Sequence, residues 1–325
     1  MGTLARRATG PARVHPAKPS SPTKPPNNQN LFQLIAMSAY LQNLTIRLAQ
    51  GVGRLPEQTR QIHTDYFLAA QQPDGGFAGR EGGSDLYYTT FAMRGLSILG
   101  ELYGETADRV EAFLKPQLSS RQTIVDFFSL FYAANLLKVS AGKDIFADAD
   151  PNWPNQVAQF LETLRREDGG YAKAQQGNAG STYHTFLVML VLQLIEKPIP
   201  NPQGILDYLD SHRQEDGGWH EIRASKRPGT NPTAAAVGCL QILDAINEAE
   251  DPELVATTLD FLVEMQTDEG GLRANTRIPI ADLLSSFTGA LTLIDLQAFD
   301  EIDSGAYRRF VYSMQRDDGL SLIHI

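Results

Sequence analysis

The sequence predicts an all-α fold, with helices paired into a closed ring of six inner and six outer members. Three observations predict it. A glycine-marked turn recurs about every fifty residues. The segments between turns alternate between amphipathic helices and helices that are apolar nearly all round. The two kinds number six each, and a fifteen-residue inner helix rises about 22 Å, a plausible height for a ring.

The turns set the period. Gln71-Gln72-Pro73-Asp74-Gly75-Gly76-Phe77 is followed by Arg165-Arg166-Glu167-Asp168-Gly169-Gly170-Tyr171 and Arg213-Gln214-Glu215-Asp216-Gly217-Gly218-Trp219. Gln266-Thr267-Asp268-Glu269-Gly270-Gly271-Leu272 and Gln315-Arg316-Asp317-Asp318-Gly319 complete the series. Successive first glycines are 94, 48, 53 and 49 residues apart. The first gap is about twice the others, so a repeat without its glycines is expected near residue 121. In each turn the first glycine is read as a left-handed C′ cap ending a helix. The second lets backbone approach closely, and the aromatic or Leu that follows plugs the seam between units.

The amphipathic helices are expected at Pro56–Gln71, Glu105–Pro116, Asn155–Arg166, Gln203–Arg213, Pro252–Gln266 and Ser304–Gln315, forming the outer ring. The apolar ones are expected at Leu86–Leu99, Ile124–Val139, Thr182–Ile195, Thr233–Ile246 and Ile280–Leu296. Leu31–Ala49 supplies the sixth inner helix.

Charge and composition exclude some classes. The net charge is −10, and the first 30 residues carry +5 with no acid, which leaves −15 on the rest. A nucleic-acid footprint on the folded part is therefore not expected. Cys239 is the one cysteine, so there is no internal disulfide or multi-cysteine zinc site. A single cysteine fits a reducing, cytoplasmic setting. No membrane span is expected, because apolar runs are broken by charges or turns. Residues 1–30, rich in Pro, Ser and Lys and without an apolar segment, read as a disordered extension and not as a signal peptide. The ring is assigned to residues 31–319. Leu320-Ser-Leu-Ile-His-Ile325 reads as an adaptor-derived or truncated tail, a translated sequencing adaptor, and His324 is accordingly not taken as a ligand.

The repeated turns, with Asp74-Gly-Gly-Phe-Ala-Gly-Arg80 and Asp85-Leu-Tyr-Tyr-Thr-Thr-Phe91, resemble the β subunits of protein prenyltransferases, the geranylgeranyltransferase type in particular, and more distantly squalene-type cyclases. The resemblance implies an (α/α)6 toroid, a central funnel lined with aromatics, an isoprenoid diphosphate or other lipid as ligand, a zinc ion, and a helical-repeat partner of the α-subunit kind. That family carries Arg-x-x-Lys-x-x-Asp-x-Cys entering its fifth inner helix, with a zinc-binding His in the sixth. Here Arg223 and Lys226 match the diphosphate-binding pair, but Asn231 and Thr233 lie nearest the ligand positions, and the His position falls near Ser285. In a second register Asp282 matches the Asp, Leu284 replaces the Cys, and the His would lie beyond Gly319. Neither register supplies three ligands. The cyclase signature Asp-x-Asp-Asp has only Asp148-Ala-Asp150-Pro151 as its nearest match.

The candidate site follows. Arg223, Lys226 and Arg227 form a basic cluster suited to phosphate oxygens, against the reading of a solvated loop. Arg80 and Arg277 hold similar places in other repeats. Tyr88, Phe128 and Tyr183 are candidates for lining the lipid channel, where ring faces pack a prenyl chain or stabilise a carbocation; ordinary packing is the alternative. His184, in Tyr183-His184-Thr185, is a candidate proton carrier or ligand. Asp282 is a candidate acid or metal ligand, with the helix N-cap as its default role. Cys239, deep in an apolar helix, reads as a core residue. Three functions stay open: a prenyltransferase-like transferase, a terpenoid cyclase-like enzyme, and a non-catalytic lipid- or protein-binding toroid.

Overall fold

The computed structural model describes residues 40–79, 81–119, 123–247, 249–317, 319 and 321. The chain divides into two compact units, Met1–Ser38 and Ala39–Ile325, and every described residue belongs to the second. The N-terminal extension, Arg80, the heart of the degenerate repeat at 120–122, and all of the tail but Ser321 lie outside the described residues.

Twelve α-helices run in alternation among the described residues. The inner ones are α1 (Tyr40–Val52), α3 (Leu86–Leu99), α5 (Ile124–Ala141), α7 (Thr182–Leu194), α9 (Thr230–Ile242) and α11 (Leu283–Asp295). The outer ones are α2 (Glu57–Ala70), α4 (Gly104–Leu114), α6 (Trp153–Glu162), α8 (Pro202–His212), α10 (Pro252–Val263) and α12 (Ser304–Ser313). Four inner helices, α3, α5, α7 and α11, start where a side chain caps the free backbone N–H groups. Asp85 accepts from Tyr88 N at 2.8 Å, Ser181 Oγ from His184 N at 3.1 Å, and Asp282 from Ser285 N at 2.7 Å. Thr123 and Asp126 form a reciprocal capping box at the start of α5.

The turn glycines differ from expectation in one respect. They do not cap the helix. α2 ends at Ala70 and Gln71 is already extended, so Gly75 lies beyond the helix, in a tight turn closed by Gly75 N to Gln72 O at 2.9 Å. The helix end unwinds into a short bridge, Gln71 to Phe77, repeated as Arg165–Tyr171, Arg213–Trp219, Gln266–Leu272 and Gln315–Ser321. In the first unit the bridge extends to a two-stranded ribbon, β1 (Phe77–Ala78) and β2 (Ser84–Asp85). The first glycines have φ between +85° and +94° and sit against a backbone carbonyl of the next outer helix. A Cβ on the second glycine would fall within 3.0 Å of a ring on that helix, namely Phe113, Tyr208, Phe261 or Phe310. The plugs Phe77, Tyr171, Trp219 and Leu272 are buried as expected.

Inner helices pack in chain order, α1 on α3, α3 on α5, and onward to α11. The ring closes twice. Inside, Arg47 of α1 forms an ion pair with Asp295 at the end of α11. Outside, Gly319 packs on Ile62 and Tyr66 of α2, and Gln315 Nε2 lies 3.3 Å from His63 Nε2. The sixth inner helix, α1, does not stand as an ordinary stave. Tyr40 N donates to Gln193 Oε1 at the far end of α7 (3.2 Å), and the Tyr40 ring meets Phe186 edge-on at 5.3 Å. Thr45 Oγ1 meets Tyr132 OH of α5 at 3.1 Å. α1 therefore reaches across the C-terminal ends of its neighbours and floors the ring. One described helix, α5, is long and apolar enough to cross a membrane, contrary to the expectation of no such stretch. Its apolar surface is used against α3 and α7, which flank it in the ring.

Candidate functional site

Inside the ring lies a cavity of about 510 Å³, to which all six inner helices contribute. Tyr87, Phe91 and Arg94 come from α3, Phe128 and Tyr132 from α5, and Tyr183, Phe186 and Leu190 from α7. α9 gives Asn231, Ala234 and Ala235; α11 gives Leu284, Phe287, Thr288, Leu291 and Thr292; α1 gives Tyr40, Leu41 and Leu44 at the floor. The small residues of α9 widen the cavity on that side. The mouth lies at the N-terminal ends of the inner helices, where Tyr87, Phe91, Tyr183 and Leu284 keep between 41% and 58% of their surface exposed.

Few polar groups interrupt this wall. Arg94 is its one basic side chain and Glu221 its one acid among the described residues. Burial pushes the Glu221 carboxyl up, opposed by the Ser181 hydroxyl that donates to it. Burial raises the Tyr183 phenol to about 12, so it stays protonated. Asn231 accepts from Thr288 Oγ1 at 2.6 Å and donates to Ser285 Oγ at 3.4 Å, tying α9 to α11.

Of the residues singled out in the sequence, the structure brings Phe128 and Tyr183 to the cavity wall. Tyr88 is not there; it lies on the rim over Gly79, and its neighbour Tyr87 takes the inward place. One residue along a helix turns a side chain by about 100°, which is enough to exchange the two. Arg223, Lys226 and Arg227 are exposed in the loop before α9 and do not line the cavity; Arg227 instead donates to Thr276 Oγ1 of the adjoining loop at 3.2 Å. Arg277 is exposed in that same adjoining loop. His184 is not among the residues that line the cavity. Burial, with a smaller contribution from Lys173, lowers it to about 4, so it is neutral near pH 7. Asp282 spends both oxygens on Ser285, at 2.7 Å to the backbone N and 2.7 Å to Oγ, which is a cap.

These residues do not fit a zinc ion. No three His, Cys, Asp or Glu among the described residues come together as a metal site. Cys239 is wholly buried and its thiol is pushed far up by burial, the reverse of what a thiolate ligand needs.

Two features escaped sequence reasoning. The first is a buried hydroxyl on four of the inner helices, α3, α7, α9 and α11, that accepts from the plug residue's backbone N–H. The pairs are Thr89 with Phe77 N (2.9 Å), Thr185 with Tyr171 N (2.9 Å), Thr233 with Trp219 N (3.0 Å) and Ser286 with Leu272 N (2.8 Å). The spacing of twelve to fourteen residues from plug to hydroxyl was a readable signal. The second is Arg94, marked in the sequence as the one charge inside the run Leu86–Leu99.

The family model for the prenyltransferase alpha-alpha toroid domain matches residues 37–115, 114–277 and 229–324. No curated protein matches the chain. Among solved structures, Candida albicans protein geranylgeranyltransferase-I complexed with GGPP superposes with a TM-score of 0.65 at 13% identity, covering 82% of this chain and 85% of that one. A variant of the type II terpene cyclase MstE from Scytonema, in complex with its substrate geranylgeranyl dihydroxybenzoate, gives 0.57 at 13% identity, with 86% and 82% covered. Apo MstE gives 0.56 at 14%, with 82% and 80% covered. At such identities these likenesses are of fold. With glycine turns, paired helices and a closed ring in place, and the family pattern running through residues 37–324, the chain belongs to the prenyltransferase alpha-alpha toroid domain family.

Proposed function

We propose that the chain binds an isoprenoid lipid, an isoprenoid diphosphate in the first place, inside the ring, as a prenyltransferase β-subunit-like protein. One observation carries the reading: an open cavity of about 510 Å³ walled mainly by aromatic and aliphatic side chains from six helices. Ligand cavities of roughly 300–1,000 Å³ with few placed polar groups hold small hydrophobic ligands. The solved relatives, one with GGPP and one with a geranylgeranyl-bearing substrate, support the same ligand class. A partner of the α-subunit type belongs to the proposal by analogy alone. Transfer to an acceptor would need a nucleophile that is reactive without zinc, since the described residues assemble no zinc site to activate it.

A cyclase-like reading has one observation in its favour, the Glu221 carboxyl in the wall with its affinity for a proton raised by burial. Protonating an alkene demands a strong acid, and a raised carboxyl is a weaker one, so the binding reading stands first.

The test is native mass spectrometry with geranylgeranyl diphosphate. One lipid per chain is expected for the wild type, and none for Ala234→Trp, which fills the cavity. A wild type that stays empty, or an Ala234→Trp variant that binds equally well, refutes the reading.

A further inference from the structure

Arg94 projects from α3 into the cavity wall eight residues after the helix starts, about 12 Å below the mouth at 1.5 Å per residue. Its Nε and Nη2 have no hydrogen-bond partner among the described residues and lie under neighbouring atoms, so an incoming group meets that edge only when this cover shifts. Its guanidinium carbon lies 5.9 Å from the Tyr132 ring centroid, a contact that leaves in-plane N–H bonds free. The nearby acids are otherwise engaged. Asp295 pairs with Arg47, and Glu221 takes the Ser181 hydroxyl.

The identity of the two unpaired atoms matters. Nε–H and the adjacent Nη2–H lie side by side on one edge of the planar guanidinium and point the same way. That edge is the one that grips two oxygens of a carboxylate or phosphate at once. A guanidinium stays charged at any working pH, so burial cannot be relieved by losing the proton. The wall's one acid, Glu221, takes the Ser181 hydroxyl, so the partner that completes this edge is an oxyanion brought by the ligand.

We propose that Arg94 is the acid-group receptor of the cavity. The ligand is a long-chain lipid of the isoprenoid type carrying a carboxylate or phosphate group. That group is held near the floor by Nε and Nη2, and the hydrocarbon runs back past Phe128, Phe186 and Phe287 toward the mouth. The inference rests on the lipid-binding reading above and adds the head-group chemistry and its direction, acid inward. Tyr40, a floor residue close enough to feel the Arg94 charge and kept protonated by burial, is the neighbouring hydroxyl. The exposed rim cluster of Arg223, Lys226 and Arg227 is the competing anchor.

The experiment measures binding of geranylgeraniol, geranylgeranoic acid and geranylgeranyl diphosphate to the full chain by calorimetry. The acid or the diphosphate should bind at least about tenfold tighter than the alcohol, and which of them gains more tells carboxylate from phosphate. Arg94→Met should erase that preference while leaving the alcohol within about twofold; Arg94→Lys, a point charge without a fork, should restore part of it. Arg223→Ala with Lys226→Ala should leave it intact. The proposal is overturned if the alcohol binds as tightly as both anions, if Arg94→Met weakens all three lipids alike, or if the rim variant removes the preference. If no lipid binds the wild type, the lipid-binding reading itself falls and takes this one with it. Unliganded Arg94→Met should melt at or above the wild-type temperature, because an unpaired buried charge has gone; a large fall would mark a structural role and overturn the proposal as well.

Discussion

Gly217 and Gly82 share a backbone conformation but not a neighbourhood, and replacing each by alanine separates two costs. Their φ values are +85° and +90°. Side chains are strained there, by about 1–2 kcal/mol for a single residue. At Gly82 an added Cβ meets nothing within 4 Å, so strain is the whole effect. At Gly217 the same Cβ would overlap the Thr257 carbonyl oxygen of α10 and press on Thr258 N at 3.0 Å. Relief means lifting α10 from a seam where Trp219 and Phe261 are almost fully buried. Overpacking of this kind adds about 1–3 kcal/mol, so Gly217→Ala should cost about 2–5 kcal/mol in all. Urea unfolding followed by circular dichroism measures both variants. Equal losses, or a difference under about 1 kcal/mol, would refute the idea that these glycines are required by the carbonyl they face and not by their own dihedral angles.

Two further outcomes follow from the same geometry. Thr233→Val keeps the shape but leaves the buried Trp219 N–H without its acceptor, 3.0 Å away in the wild type, and should cost about 1–3 kcal/mol in denaturant unfolding, against well under 1 kcal/mol for exposed Thr276→Val. His184 is lowered from 6.5 to about 4, by burial first and Lys173 second. The unfolded chain thus takes up a proton near pH 6.5 that the folded chain refuses until about pH 4. Its share of stability is complete above pH 6.5, is lost as pH falls toward 4, and amounts to about 2–3 kcal/mol once partial solvent access is allowed for. His184→Gln should flatten that slice of the stability curve between pH 4 and 6.5; parallel curves for the two proteins would exclude it.

How far the sequence could be read depended on whether a feature repeats. The plugs at Phe77, Tyr171, Trp219 and Leu272, and the helix α3 at Leu86–Leu99, fell where periodicity put them, because the same packing problem is solved the same way in each unit. Outer helices came out one to four residues shorter at their C-termini, as α10 does at Val263, since the last residues leave the helix before each turn. Facing was less legible. Tyr87 and Tyr88 are chemically alike, and only the Asp85 cap, which fixes the phase of α3, decides which one turns inward. The basic cluster stands apart from the cavity wall for a related reason. Glu221 is held at the wall by the stitch from Thr182 N to its carbonyl at 2.9 Å, and two residues later the loop has turned outward at Arg223.

The parts that break the repeat are the ones that make the site, and packing explains why. Five inner helices that each touch two neighbours enclose a space but do not seal its end. α1, lacking a preceding described partner helix, lays Tyr40, Leu41 and Leu44 under that space and pins itself by Thr45 to α5 and Arg47 to α11. A hole of this size would otherwise be costly, since each missing contact forfeits dispersion energy and the lining loses its partners. It persists because stability comes from the seams between hairpins, where turn glycines, plugs and buried hydroxyls interlock, and not from filling the centre. Arg94 belongs to the same argument. Placed in a seam, an unpaired guanidinium would disrupt the unit-to-unit packing on which the ring depends; placed in the central space, its cost falls only on the unliganded state and is returned when an anionic ligand arrives.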